Sequence, residues 1–147
     1  MQLPKVKLSN IRLDAVVVGA LVDNVGTMAV MLLLASALSS TGIPQNEVIS
    51  RMKSLSGMLL TLIFGLGCTG LGGYTAARMA KRYEILHGAL VAIIGIAIAL
   101  IFREETLPLW YQIVGLISML PVGMAGGYVV RQRRGATPSQ HSSPPGR

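Results

Sequence analysis

The chain has 147 residues, which suits a single domain, and 52% of them are hydrophobic while only 13% are charged. A soluble domain carries about 25% charged residues to cover its surface, so this composition excludes an ordinary soluble domain and indicates a surface in lipid. The net charge of +7 would also suit nucleic-acid binding, but the basic residues stand at the ends of apolar runs, and we expect no nucleic-acid partner.

Four apolar stretches follow one another along the chain, and each is long enough to cross a bilayer, which takes about 17 to 25 helical residues. A helix satisfies its own backbone hydrogen bonds, as a segment in lipid must. The sequence therefore predicts an all-α, polytopic membrane protein with four transmembrane helices. They cover about 15–38, 57–77, 85–102 and 109–130, within a transmembrane domain over 15–134 that follows a basic cytoplasmic arm at 1–14 and precedes a disordered, Pro-rich cytoplasmic tail at 135–147.

The first span has an alternative interpretation as a cleaved signal peptide, because Ala35-Ser36-Ala37 forms an A-x-A pattern after a basic start and an apolar run. The apolar stretch is longer than a typical signal region, and Asp23 and Asn24 interrupt it. We therefore expect the first span to stay in the mature protein as a helix.

The loop at 39–56 allows two interpretations of about equal weight. A short interfacial helix that begins at Pro44 would place Val48, Met52 and Leu55 on one face. An ordinary polar connection between the first two spans is the alternative.

The distribution of Lys and Arg predicts the orientation, because positive charge marks the cytoplasmic face. Ten of the 13 basic residues fall on the side of the two termini and three on the other side, so both termini are predicted to be cytoplasmic. The ten are Lys5, Lys7, Arg12, Arg78, Lys81, Arg82, Arg131, Arg133, Arg134 and Arg147, and the three are Arg51, Lys53 and Arg103.

A Gly-rich segment in the second span matches a dinucleotide-binding fingerprint, Gly65-x-Gly67-x-x-Gly70. That fingerprint needs alternating strands and helices and an acidic residue about 20 residues further on. Position 90 is leucine and the next segment is another span. The match is therefore a coincidence within a membrane helix.

Small residues recur every four positions along the second span, from 57 to 77, and small faces let membrane helices approach closely. A shorter version of the pattern lies in the fourth span. We interpret these residues as helix-packing positions, used either between copies of the chain or, as we favour, within one monomer. The glycines concerned are Gly57, Gly65, Gly73, Gly123 and Gly127.

Two short sequences occur twice and indicate a repeat. GGY stands at 72–74 and 126–128, and GALV stands at 19–22 and 88–91. The copies are 54 and 69 residues apart, and a longer first loop accounts for the difference of 15. The two halves of the domain are therefore interpreted as parallel-repeat hairpins.

Each GGY copy ends a span at the predicted cytoplasmic interface, where tyrosine and arginine anchor in the headgroup region. We expect lipid headgroup anchoring by the basic residues that follow. The alternative is that Arg78, Lys81 and Arg82, which follow the first copy, bind an anionic headgroup specifically. The anchoring residues are Arg78, Lys81, Arg82 and Arg131.

Polar residues at membrane depth form the candidate site. Asp23 lies eight residues inside the first span, about 12 Å deep at helical rise, and Asn24 is beside it. Thr69 on the second span and Ser118 on the fourth are expected at a similar depth, where Pro121 kinks the fourth helix. An ionisable residue in a span indicates either a path for a small solute or proton, or a hydrogen bond between helices, and we favour the second.

The sequence contains no H-E-x-x-H, no G-x-S-x-G and no paired acid motif within a span. The single cysteine, Cys68, excludes an intrachain disulfide and a zinc site built on cysteines. His87 stands near the inner interface, and we expect it to hydrogen-bond Tyr74 or the loop. We expect no enzymatic activity, no cofactor and no metal.

The stretch GGYTAARMAKRYEILHGALV, residues 72–91, resembles a motif of small four-helix bacterial integral membrane proteins of uncharacterised function, GGYxAARxAK…HG. The resemblance implies a bacterial cytoplasmic (inner) membrane location and brings no substrate, cofactor or catalytic residue. The residues that carry it are Gly72, Gly73, Ala76, Ala77, Arg78, His87 and Gly88.

The sequence thus favours a structural or accessory subunit that packs in the lipid bilayer against itself, as a homo-oligomer, or against a larger membrane partner. The alternative is a small solute or ion transporter or channel that uses Asp23 near the bilayer midplane.

Overall fold

The computed structural model describes residues 11–135, which form five helices and no strand. Four of the helices are long and apolar enough to cross a membrane, and this confirms the prediction of an all-α protein with four spans. The basic arm is described only from residue 11, and the tail predicted at 135–147 lies outside the described residues except for Gly135. The helices are α1 (Leu13–Ser39), α2 (Gln45–Met52), α3 (Leu55–Ala80), α4 (Glu84–Ile101) and α5 (Leu109–Gly135).

The short helix α2 occupies the loop between the first two spans, so the helical interpretation of this loop is the one found. It follows Pro44, and Val48 is buried against the bundle. Leu55 does not share this face, because the chain turns at Lys53 and Leu55 already belongs to α3, where it is 62% exposed. Ser54 caps α3 by accepting a hydrogen bond from the Gly57 N–H at 3.3 Å.

A tight turn joins α3 to α4. Lys81 and Tyr83 both have left-handed backbone angles, with φ of 61° and 52°, which reverse the chain within three residues. We call this side of the bundle the turn end and the opposite side, which carries α2, the α2 end. The N-terminus of α1 and the C-terminus of α5 both lie at the turn end, where Arg12 contacts Met79 and Arg134 contacts Glu84.

Helix α5 continues through Pro121 as far as Gly135, the last described residue, which is five residues beyond the predicted span. Arginines are good helix formers, and positive charge in the last turn complements the helix dipole, so the helix does not stop where the apolar run stops. Arg131, Arg133 and Arg134 consequently project from a helix.

Helices α3 and α4 form the centre of the bundle, because each of them packs against both α1 and α5. The backbones of α1 and α5 do not come close to each other within the described residues. The core at the turn end is built from small and branched side chains, including Val16, Ala76 and Val91. Large apolar side chains on all four long helices are exposed, as lipid-facing residues are.

Candidate functional site

A buried hydrogen bond joins α1 to α3 in the middle of the bundle. Asp23 is 3% exposed and Thr69 is 1% exposed, and the Thr69 hydroxyl donates to Asp23 Oδ1 at 3.0 Å. The Thr69 Oγ1 also lies 3.2 Å from the carbonyl oxygen of Gly65, one turn back in α3. The Asp23 Cβ lies close to Gly72, where an added Cβ would be 3.0 Å away, so a glycine makes room for the aspartate.

The protons at this centre can be counted. A threonine hydroxyl has one hydrogen, so it donates either to Asp23 or to the Gly65 carbonyl. If the Asp23 carboxyl carries a proton, it donates to Thr69 and Thr69 donates to Gly65, and both contacts become hydrogen bonds. A neutral carboxyl therefore lets both of these contacts be hydrogen bonds without a buried cation.

Asn24 and Ser118, which were predicted to join the site, do not. Asn24 is turned about 100° around α1 from Asp23, and its amide donates to the Ala20 carbonyl in the same helix at 2.8 Å. Ser118 is half-buried on α5 and makes no hydrogen bond to Asp23 or Thr69. The backbones of α1 and α5 stay apart within the described residues.

The other neighbours of the carboxyl are apolar and were not found from the sequence. A Cβ added to Gly95 of α4 would lie 3.1 Å from Asp23 Oδ2 and 3.0 Å from the methyl carbon of Met119 on α5. Gly95 thus opens a space into which both side chains reach. The four spans meet at this level, with Asp23 as the polar group among them.

A cavity of about 420 Å³ begins above this level and extends to the α2 end. Thr27, Met31 and Met119 lie at its deep end, while Tyr111, Gln112 and Glu104 lie near its mouth. A second cavity of about 440 Å³ lies under α2 and shares Met31, Glu104 and Tyr111 with the first. Within the described residues, the α2 half of the bundle is therefore open between its helices.

A polar connection crosses the mouth of these cavities. The Lys53 ammonium donates to Glu104 and to Thr106, both at 2.8 Å, and Thr106 donates to Glu104 at 2.6 Å. The hydrogen bonds from Lys53 and Thr106 hold the pKa of the Glu104 carboxyl below its usual range. These side chains tie the end of α2 to the α4–α5 loop and are exposed to solvent.

The turn half of the bundle is closed by backbone contacts at glycines. A Cβ added to Gly73 or to Gly88 would lie 2.4 Å or 2.2 Å from the carbonyl oxygen of Gly123, so α3, α4 and α5 meet at that peptide. A Cβ on Gly127 would lie 2.4 Å from the Glu84 carbonyl. All these contacts lie within one chain.

Two of the predicted packing glycines, Gly57 and Gly65, do not pack against another span. A Cβ on Gly57 would lie 2.3 Å from the Arg51 carbonyl, so this glycine packs against the end of α2 and not against another span. A Cβ on Gly65 would meet no atom within 4 Å. The series of small residues on α3 thus contacts other spans at Gly73 in the turn half and again toward the α2 end at Thr61, whose hydroxyl lies 3.1 Å from the Tyr111 hydroxyl of α5.

The predicted anchoring residues lie together at the turn end. Arg78, Lys81, Arg82 and Arg131 are all exposed there. The Arg78 carbonyl accepts a hydrogen bond from Arg134 at 2.7 Å. The turn end therefore carries a dense basic surface.

His87 is fully buried at the first turn of α4. Its Nε2 accepts the backbone N–H of Arg12 at 3.1 Å, and its Nδ1 lies 3.0 Å from the Tyr83 carbonyl. The second contact requires a hydrogen on Nδ1, so a neutral ring with that tautomer satisfies both. Of the two predicted partners, the ring contacts the loop and not Tyr74, and the contact with Arg12 was not predicted.

Equivalent positions of the two predicted hairpins touch in the same way. When the GALV copies are aligned, Asp23 corresponds to Ala92, and when the GGY copies are aligned, Thr69 corresponds to Gly123. Asp23 bonds to Thr69, and a Cβ on Gly123 would lie 2.9 Å from the Ala92 Cβ. The helix crossing at this equivalent position is thus a polar contact in the first hairpin and a contact between small residues in the second.

No family model, curated protein or solved structure matches the chain. Within residues 11–135, no three His, Cys, Asp or Glu side chains are grouped as metal ligands.

Proposed function

We propose that this multi-pass membrane protein is a structural or accessory subunit of the bacterial cytoplasmic membrane, without enzymatic activity or cofactor of its own. It would pack with further copies or with a larger membrane partner. The observation that supports this proposal best is the Asp23–Thr69 bond, because both side chains are buried and the hydrogen bond between them joins α1 to α3.

The turn half of the bundle supports the same proposal. Within residues 11–135, glycine backbones in this half approach one another at separations that leave no room for a side chain. A bundle whose turn half is packed in this way suits a structural subunit that binds other proteins in the bilayer.

We propose membership of the small four-helix bacterial family on its motif residues. Six of the seven residues that carry the resemblance are buried where the spans meet, and Arg78 is exposed. The motif thus has a packing reason in this chain: it contains the glycines and alanines of the crossings and the histidine that holds Arg12.

A small solute or ion path through Asp23 is the second candidate. The cavity at the α2 end supports it, because its deep end at Met119 lies next to the space that the Asp23 carboxyl also faces. Acidic residues within membrane spans commonly face the bundle interior or a water-filled cavity and mark proton or ion paths.

The substitution Asp23→Asn separates the two candidates. Asparagine keeps the shape and can still hydrogen-bond Thr69, but it cannot release a proton. For a subunit, we expect Asp23→Asn to complement a deletion strain and Asp23→Leu to fail, with protein amounts matched by immunoblotting. In liposomes, we expect proton and sodium flux through the wild-type chain to equal that through Asp23→Asn and through empty vesicles. Flux that requires the carboxyl would contradict the subunit proposal and support the path.

The orientation with both termini in the cytoplasm follows from the basic turn end. In a Cys68→Ser background, we expect Thr41→Cys and Glu105→Cys to react with a membrane-impermeant maleimide in spheroplasts, because both positions are exposed at the α2 end. Gln132→Cys, exposed at the turn end, should react only after permeabilisation. The reverse pattern would overturn the orientation.

A further inference from the structure

A groove of about 520 Å³ runs between α3 and α5 on the outside of the bundle. Its walls are the backbones and small side chains of Gly67, Gly70, Ala125 and Gly126, with Val122 and Val129 along α5. The surface is almost wholly apolar over this length. Tyr74 and Arg133 stand at the turn end of the groove.

The length of the groove matches one leaflet of a bilayer. From Val122 to Arg133 there are eleven residues along α5, which is about 16 Å at helical rise. Half of the hydrocarbon core is about 15 Å. An acyl chain that lies in the groove would therefore end near the bilayer midplane while its headgroup reaches the level of Arg133.

The charge at the groove's turn end suits a phosphate. The Arg133 guanidinium lies 5.8 Å from the centre of the Tyr74 ring, and it donates to the Tyr74 hydroxyl at 3.4 Å. Arg78 and Lys81 are exposed at the same end of the bundle. Arginine forms strong charge-assisted hydrogen bonds with phosphate oxygens, and tyrosine lies comfortably at headgroup depth.

We propose that this groove binds one anionic glycerophospholipid, with an acyl chain along Gly67, Gly70 and Gly126 and the phosphate at Arg133 and Tyr74. The proposal rests on the groove and its charge, and it holds whether the chain is a subunit or forms a path. It goes beyond headgroup anchoring, because the glycines supply a binding surface for the chain of the lipid.

Two glycines of α3 provide a matched pair of variants. A Cβ on Gly67 and a Cβ on Gly65 both point into open space, so Gly67→Leu and Gly65→Leu add the same side chain to the same helix without a clash at the Cβ. Only Gly67 lines the groove. Arg133→Gln removes the cation at its end, and Arg82→Gln removes an exposed cation of the same basic surface that does not line it.

The readout is native mass spectrometry of the purified full chain, equilibrated with equal amounts of phosphatidylglycerol and phosphatidylcholine of the same acyl chains. We expect the wild type and Gly65→Leu to retain one phosphatidylglycerol preferentially. Gly67→Leu should lose retention of both lipids. Arg133→Gln should lower the phosphatidylglycerol preference about fivefold, which is the effect of about 1 kcal/mol per cation at a membrane surface, while Arg82→Gln should change it less than twofold.

Equal retention by Gly67→Leu and Gly65→Leu would overturn the acyl-chain site. Equal retention of the two lipids by the wild type would overturn the anionic preference. An equal effect of Arg82→Gln and Arg133→Gln would overturn the phosphate site at Arg133, because the preference would then come from the general charge of the surface. If Gly67→Leu does not yield folded protein by circular dichroism, Ala125→Leu fills the same groove from an exposed position on α5 and decides the same comparison.

Discussion

Gly123→Ala is expected to destabilise the bundle by about 2 kcal/mol, because its added methyl group meets another helix and not lipid. The new Cβ would lie 2.6 Å from the Gly88 carbonyl oxygen and 2.9 Å from the Ala92 Cβ. Extra atoms in a packed core typically cost about 1 to 3 kcal/mol, or more when a backbone must move. Replacing glycine by alanine in a helix returns up to about 1 kcal/mol. The clash therefore outweighs the gain in helix propensity.

The control is Gly65→Ala, which makes the same change in a membrane helix at a position where the Cβ meets nothing within 4 Å. This variant should be as stable as the wild type or more stable by up to about 1 kcal/mol. Both free energies of unfolding are measured by circular dichroism in mixed micelles as the fraction of denaturing detergent rises. If Gly123→Ala is as stable as Gly65→Ala, the three-helix contact at Gly123 is wrong.

The glycines of α3 also show which packing contacts can be predicted from the sequence and which cannot. Small residues at every fourth position indicate a helix face on which another helix can pack, and Gly73 lies on such a contact. The period does not say how far along the helix the contact extends. Gly65 belongs to the same series, but a Cβ at this position would meet no atom within 4 Å. Which members of the series face a neighbouring helix depends on the crossing geometry of several helices, which no single segment encodes.

The spans themselves were predictable because length and apolarity are properties of a continuous segment. The ends of the helices were harder to predict from the sequence. α5 runs past its apolar part to Gly135, because a helix is free to continue into water when arginines favour it.

At the polar site, too, the sequence predicts some features and misses others. Asp23 and Thr69 stood out as polar residues in apolar helices, and the structure brings them together. Asn24 has the same depth as Asp23 but a different direction around α1, so depth alone misplaced it. Gly95 and Met119 carry no polar signal. The one sign in the sequence is that GALV is followed by glycine four residues later in both copies, at Gly26 and Gly95.

Thr69→Val is expected to destabilise the wild-type chain by about 1 to 3 kcal/mol, since it leaves the buried Asp23 carboxyl without its hydrogen-bond partner. Valine keeps the volume of threonine and removes only the hydroxyl. In an Asp23→Ala background, the same change should cost much less, because no carboxyl is left unsatisfied. We expect a coupling energy of about 1 kcal/mol, within the range up to about 1.7 kcal/mol found for hydrogen bonds between membrane helices.

The repeat supplies a further step of this double-mutant cycle. In the second hairpin, Ala92 and Gly123 occupy the positions of Asp23 and Thr69 and pack directly. Asp23→Ala combined with Thr69→Gly rebuilds that pair in the first hairpin. We expect the combined variant to be more stable than the sum of its two single changes predicts, as judged by detergent unfolding. Strict additivity would mean that the two side chains do not interact, since coupling is what distinguishes residues in contact from independent ones. A positive coupling would show that the two side chains interact, and a combined variant as stable as the wild type would show that this crossing also accepts the small pair found in the second hairpin.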